Sequence, residues 1–361
     1  MLSQRGLILL GLLTVGAILA DRLEAPPWLV FILSGLCMLP LGSALARASE
    51  DLAEHMGPGP GALLNATFGN APELVILFVA LNKGLLDVVK ATLSGSILAN
   101  LLLVLGLSAV VGGLRYKFLN LHPLGAAANL GTLTLVVAAL LFPAVFAALP
   151  PPLGADPVSE RIEDLSLGTA ATLLLVYALS LIFMFRTHSE QLKDSVKLSV
   201  KVELAKLRAH APPRKAIAWI AGCVALVVIL SEQLVDATDS LVDAYHLPPL
   251  FMGVVGLALV GNAADYSSAI QMAWKNKLDL AFRVATGAAL QVALFVAPVL
   301  VIASRFTPHP LNLNFSPLEV LSVALAVVTV TAHSSDNAFT WYEGAQLLAL
   351  YVIIGLAFFF Y

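Results

Sequence analysis

The chain has 361 residues, 59% of them hydrophobic and only 12% charged, about half the charged share of a soluble domain, and its mean hydropathy is +0.90. Apolar runs of about 20 residues recur along the whole length, which excludes a soluble globular class and defines a polytopic membrane protein. The net charge of −3 comes with no basic patch interleaved with aromatics, so nucleic-acid binding is excluded, and Cys37 and Cys223, in separate apolar runs, imply neither a disulfide framework nor a thiolate metal site.

Eleven apolar segments follow in chain order, at about 5–22, 28–48, 60–82, 88–112, 122–148, 166–186, 215–235, 248–274, 280–304, 317–333 and 342–360. The first has the outline of a secretory signal, Arg5 and then Leu7 to Ala20. No small-x-small cleavage site precedes Asp21, and a second run begins at Trp28, so it is read as a first membrane helix. The longest connection, 187–214, carries Lys193, Lys197, Lys201, Lys206, Arg208 and Arg214 against Glu190, Asp194 and Glu203. Arg115 and Lys117 follow the fourth segment, and Lys275, Lys277 and Arg283 follow the eighth. These basic connections fall on the side of the N-terminus, which is therefore expected in the cytoplasm, with Tyr361 outside. The net acidic connections "GADPVSERIEDL" and "DATDSLVDAYH" fall on the opposite side.

An internal repeat organises these segments. "SEDLAEHMGPGPGALLNATFGNAPE" (49–73) matches "SEQLVDATDSLVDAYHLPPLFMGVVGLALVGNAAD" (231–265), and "LSGSILANLLLVLG" (93–106) matches "ATGAALQVALFVAP" (285–298). Five spans separate the copies, an odd number, so the second must run through the membrane inverted. Inverted repeats of this kind mark secondary transporters, with a binding site near midplane. The expected architecture is an all-α integral membrane protein of about eleven transmembrane helices. It comprises a leading helix (1–27), a first five-helix repeat (28–186), a cytoplasmic connection (187–214) and a second five-helix repeat (215–361).

Each copy places one acid in an apolar segment: Glu73 in "FGNAPELVILFV" and Asp265 in "LVGNAADYSSAI". A carboxylate at the bilayer centre costs at least about 2.5–3.5 kcal/mol, and neither acid has a basic residue at i±3 or i±4. Each must be protonated or neutralised by a bound cation. Asn70 and Asn262 stand three residues before the acids, on the same face of a continuous helix. Gly69 and Gly261 let the backbone open, and Pro72 frees a carbonyl one turn back. Carboxylates, amides and freed carbonyls are the hard oxygen ligands that calcium takes. Ser94, Ser96 and Asn100, with Thr286 and Gln291, are expected to line the same cavity. For the serines and threonine, helix packing is an equally good account. Glu50 in "SED" and Glu232 in "SEQ" occupy matching positions in the repeat and are expected near opposite entrances as relay or gating acids, the alternative being interfacial residues that reach headgroup water. No H-E-x-x-H, G-x-S-x-G or other nucleophile–base pairing occurs, so an intramembrane enzyme is not expected.

At these residues the chain resembles the Ca2+/H+ antiporter (cation/proton exchanger, CAX) family of the Ca2+/cation antiporter superfamily. "LLNATFGNAPELVI" with "GSILANLLLVLG", and "VGNAADYSSAIQMAWKNKLDLA" with "QVALFVAP", resemble its two conserved regions. The resemblance extends over "RYKF", "YALSLIFMFRTH" and "TWYEGAQLLALYVIIG". It implies a leading helix and two inverted repeats, Glu73 and Asp265 as the essential acids, and Asn70, Asn262 and Gln291 around the cation. It further implies exchange of Ca2+ for H+ by alternating access, with another cation such as Na+ or Mn2+ as the alternative. No cofactor is expected, only the transported ions, and the expected partners are the lipid bilayer and the cation. A multi-pass protein of a bacterial or archaeal plasma membrane is the expected setting. The chain departs from the family where a glutamate followed by histidine is usual, since it has Asp265 and Tyr266 there; Ala288 stands where Ser96 leads one to expect a serine. These changes bear on selectivity more than on exchange.

Overall fold

The computed structural model describes residues 4–56, 69–150, 158–183 and 213–361; the side chains of residues 4–9, 54, 124, 158–159, 213 and 263–265 lie outside the description. The structure is overwhelmingly helical and divides into two compact units. One comprises residues 1–79 and 178–247, the other 80–177 and 248–361. Most of the connection 187–214 falls outside the described residues.

The first unit is built on α1 (Gln4–Arg22), α2 (Pro27–Met56) and α7 (Pro213–Tyr245). Helices α2 and α7 pack along each other, because each presents a buried stripe at three- and four-residue spacing. In α2 it is Val30, Ser34, Cys37, Leu41, Leu45 and Ala48; in α7 it is Cys223, Val227, Leu230, Leu234, Thr238 and Leu241. Their lengths, 30 and 33 residues, correspond to about 45–50 Å, well beyond the hydrocarbon thickness. Both helices continue past the apolar segments read from the sequence. Capacity for backbone hydrogen bonding, not apolarity, sets where a helix ends, so "SEDLAEHM" and "SEQLVDATDSLVDAY" stay helical. The unit also holds the first turns of α3 (Ala71–Asn82).

The second unit contains α4 (Leu86–Gly113), α5 (Pro123–Ala148), most of α6 (Val158–Ile182), α8 (Pro249–Gly261), α9 (Ala263–Trp274), α10 (Leu278–Ser304), α11 (Pro317–His333) and α12 (Trp341–Phe360). Helices α4 and α10 are mostly buried whereas α6 buries few of its residues, so α4 and α10 form the core of this unit. A two-stranded antiparallel pairing, β1 (Leu119–Asn120) with β2 (Ala338–Phe339), joins two connections, with Leu119 opposite Phe339. Capping boxes start α11 at Ser316–Glu319 and α12 at Thr340–Glu343.

Among the described residues seven helices are long and apolar enough to cross a membrane, or eight if α8 and α9 form one span. The α8–α9 pair is bent by 64°. Helices α3 and α11 are shorter, at 12 and 17 residues. The chain is thus a multi-pass helical membrane protein. Helices α4, α8 and α10 each widen into a π-helical stretch, at Ala99–Val104, Met252–Leu257 and Val292–Val296. The first begins four residues after Gly95 and the third five after Gly287, nearly the same place in the two matched segments. Such widenings leave a local gap in the helical ladder and gather at functional sites.

Candidate cation site

Helices α4 and α8 meet backbone to backbone. A Cβ on Gly95 would collide with the backbone of Val254, and one on Gly253 with Ala91. Only glycine admits this approach. It brings the polar face of α4 against the end of α8, where the helix stops at Asn262 with φ −100° and ψ 7°. Helix α9 restarts at the next residue.

An asparagine at the start of a helix ordinarily caps that helix's own N–H groups. Asn262 makes no such cap. Its Nδ2 donates to Ser96 Oγ at 2.9 Å and to the Ala258 carbonyl at 3.0 Å. Its Oδ1 accepts from Asn100 Nδ2, also at 2.9 Å. The second hydrogen of Asn100 Nδ2 goes to the Ser96 carbonyl at 2.9 Å. Ser96, Asn100 and Asn262 are all buried. The network also fixes the amide of Asn100: its nitrogen faces two acceptors, so its oxygen must point the other way. That oxygen, Asn100 Oδ1, is buried with no hydrogen-bond partner among the described residues. A buried, unpartnered amide oxygen costs about 1–3 kcal/mol; a cation or a further donor at that oxygen would recover it.

The other motif sits at the head of α3. Asn70 is buried in a turn, and Glu73, 1% exposed, lies in the first turn of the helix. The position is therefore a helix N-terminus, where the backbone dipole favours a negative charge, rather than the middle of an apolar helix. The same holds in the second motif, since Asp265 is the third residue of α9; its side chain lies outside the described residues. The break at Asn262 also means that Asn262 and Asp265 do not share the face of a continuous helix. Gly69 and Gly261 adjoin these breaks without positive φ. Pro72 occupies the first turn of α3, where its missing N–H costs nothing; the carbonyl one turn back belongs to Phe68, outside the described residues. Tyr266 donates its hydroxyl to the Ala258 carbonyl at 3.3 Å, the carbonyl that Asn262 also uses.

The remaining residues divide. Gln291 is half-buried and immediately precedes the π-helical stretch of α10. Ser94 and Thr286, matched in sequence, bind polar groups on other helices. Ser94 Oγ donates to Glu319 of α11 at 3.0 Å, and Thr286 Oγ1 accepts from Asn129 of α5 at 2.7 Å. Glu50 and Glu232 are exposed on α2 and α7, while the preceding serines, Ser49 and Ser231, are fully buried. Sequence reasoning missed Gly95, Gly253 and Glu319. A glycine in each of two apolar segments was the available signal for close helix approach, but nothing identified the partner. Among the described residues no three His, Cys, Asp or Glu side chains converge to hold a metal.

A multi-pass helical membrane protein with a glutamate buried at one helix start and, elsewhere, an amide cluster beside a π-helical stretch has the features of a membrane transporter. The chain belongs to the sodium/calcium exchanger protein family, whose model matches residues 26–186 and 215–360; these are transporters, not enzymes. It is 43% identical over 345 residues to a Ca2+/H+ antiporter of Synechocystis sp., covering 92% of this chain and 91% of that protein. The crystal structure of the Ca2+/H+ antiporter protein YfkE matches with a TM-score of 0.80 at 35% identity, over 99% of this chain and 100% of that one. The H+/Ca2+ exchanger CAX shares the fold, with a TM-score of 0.66 at 14% identity over 98% and 91% of the two chains.

Proposed function

We propose that this protein is a cation/proton antiporter that exports Ca2+ in exchange for H+ by alternating access. Glu73 and Asp265 bind the cation or protons in turn, and Asn70, Asn262, Gln291, Ser96 and Asn100 supply further oxygens. Gly69, Gly261 and Pro72 adjoin the helix breaks that free backbone groups beside the acids. Two carboxylates in a low-dielectric site are neutralised equally by one divalent cation or by two protons, and the empty, doubly ionised state is the costly one. The protein therefore changes face when loaded and resists doing so when empty. Coupling follows from that charge balance.

The observation that carries this reading is the buried oxygen of Asn100, held by the Ser96–Asn262 network with no partner among the described residues. The activities named for the Synechocystis relative and for YfkE support the choice of ions. In the proposed topology one leading helix (1–27) precedes two inverted five-helix repeats, 28–186 and 215–361, joined by a cytoplasmic connection. The N-terminus is cytoplasmic, the C-terminus external, and the membrane a bacterial or archaeal plasma membrane. The matching π-helical stretches of α4 and α10 support the repeat. Proton flux in proteoliposomes, driven by Ca2+, Mn2+, Mg2+, Na+ or K+ in turn, tests the function. Ca2+ is expected to drive proton movement, and silence with every cation would end the reading. The second reading, exchange of a different cation, draws on Asp265, one methylene shorter than glutamate, and on Tyr266, which cannot offer a titratable imidazole.

A further inference from the structure

Among the described side chains a second carboxylate is as deeply buried as Glu73. Glu319, in the first turn of α11, is 1% exposed. Its Oε2 accepts from the Ser316 backbone N–H at 2.8 Å, and its own N–H donates to Ser316 Oγ at 3.3 Å. That is a capping box, and glutamine serves a capping box as well as glutamate does. The other carboxylate oxygen does something no cap requires: Oε1 receives the Ser94 hydroxyl from α4, at 3.0 Å.

Ser94 has one hydrogen and two acceptors within reach, since the Ala91 carbonyl lies 3.1 Å from its Oγ. With Glu319 ionised, the hydroxyl points at the carboxylate. With a proton on Oε1, the acid donates to Ser94 Oγ and the serine hydrogen turns to the Ala91 carbonyl. Every hydrogen bond is satisfied in both states, and only hydrogens move. The pair is built to hold a proton and to lose it.

One turn before Ser94, Lys90 donates from Nζ to Asn312 Oδ1 at 2.7 Å and to the Asn314 carbonyl at 2.9 Å. It stands within electrostatic reach of Glu319 and Asp87. The other helices packed on α11 bring little further charge. Helix α5 has no titratable side chain from Pro123 to Ala148. Glu343 of α12 is engaged in its own capping box with Thr340, and the connection before α11 adds Arg305 and His309.

We propose that Glu319 is a proton-binding residue of the exchanger, separate from Glu73 and Asp265, with Ser94 as its hydrogen-bond partner. The inference rests on the cation/proton exchange reading. A proton from water forms the O–H bond at Oε1 and returns to water when that bond breaks, so nothing else is consumed. Ionised, Glu319 offsets the charge of Lys90. Protonated, it leaves the Lys90 ammonium with only Asp87 to offset it, on the helix that carries Ser96 and Asn100, and the added net positive charge disfavours an entering cation in a low-dielectric setting. Proton and cation thus oppose each other through different residues.

The test uses the full chain in lipid vesicles, with Ca2+ as the probe. Glu319→Gln keeps the cap and imitates the protonated acid. It is expected to weaken apparent Ca2+ affinity at neutral pH about tenfold, the order of effect for one charge at short range, and to flatten its pH dependence. The infrared band of a protonated carboxyl that appears on acidification should lose intensity in the same variant. Ser94→Ala and Lys90→Gln each remove a group that favours the ionised carboxylate, so both should move the pH midpoint of Ca2+ binding upward. These two keep the test alive should Glu319→Gln not fold. Wild-type pH dependence or an unchanged carboxyl band in Glu319→Gln, or unmoved midpoints in both other variants, would overturn the proposal. Failure of the wild-type protein to move protons against any cation would instead remove the exchange reading, and the infrared band would still decide whether Glu319 titrates.

Discussion

Asn100 donates its side-chain amide to Oδ1 of Asn262 at 2.9 Å, from the π-helical stretch of α4 to the residue at which α8 stops. The bond holds two breaks in helical regularity together and leaves Asn100 Oδ1 without a hydrogen-bond partner among the described residues. Asn262→Ala strands a donor on Asn100 and removes the donor to Ser96. It is expected to cost about 1–3 kcal/mol, read as a lower thermal midpoint in detergent. Asn100→Ala should also abolish the increase in that midpoint on adding Ca2+. An unchanged Ca2+ response would exclude Asn100 from the site.

Gly95 and Gly287 occupy the same place in the matched segments, yet their surroundings differ. A Cβ on Gly95 runs into the backbone of Val254, whereas one on Gly287 meets nothing within 4 Å. Gly95→Ala must push α8 away from α4 and displace Asn262 from Ser96, so transport should be lost and stability reduced by about 1–3 kcal/mol. Gly287→Ala should leave both close to wild type. Comparable behaviour of the two variants in flux and thermal-shift assays would contradict the close approach as the cause.

That pair also shows how far the sequence could be read. Apolar segments were legible because lipid demands about 20 apolar residues per span; the acids of "GNAPE" and "GNAAD" stood out in apolar text, but not the helix starts they occupy, where the backbone dipole favours a negative charge. The helix break was half legible. Gly261 announced it, but the chain turns at Asn262, whose side chain prefers the partners on α4 to a place in its own helix. The π-helical "ANLLLV" carries no sequence signal, since any apolar stretch reads as regular helix. Ser94 and Glu319 lie 225 residues apart, and no local pattern links them. Periodicity shows which face of a helix is buried, but not what it is buried against.

The two acids proposed to bind the cation make the plainest test of the exchange mechanism. Glu73→Gln and Asp265→Asn should each abolish Ca2+-driven proton flux while the protein stays folded and inserted, because removing a buried charge need not destabilise the fold. Near-normal flux in either purified variant would sink the two-carboxylate scheme. Asp265→Glu adds one methylene of reach and should alter the relative rates for Ca2+ and smaller cations. Identical rates across the cation panel would show that side-chain length at this position does not set selectivity.

Glu50 and Glu232 permit a test of sidedness. Glu50 lies within the last two turns of α2, and Glu232 about four turns before the end of α7. Both are exposed, while Ser49 and Ser231 beside them face the interior. The stripe that packs α2 against α7 therefore leaves each carboxylate on the exposed side of its helix. In the proposed topology α2 descends toward the cytoplasm and α7 rises toward the outside, so the two acids serve opposite entrances. Glu50→Gln should impair loading mainly from the cytoplasmic face, and Glu232→Gln mainly from the external face, each with little change at the other. Flux measured in both directions on oriented vesicles separates these outcomes. Wild-type pH and Ca2+ dependence on both faces in both variants would reduce the pair to interfacial carboxylates resting in headgroup water.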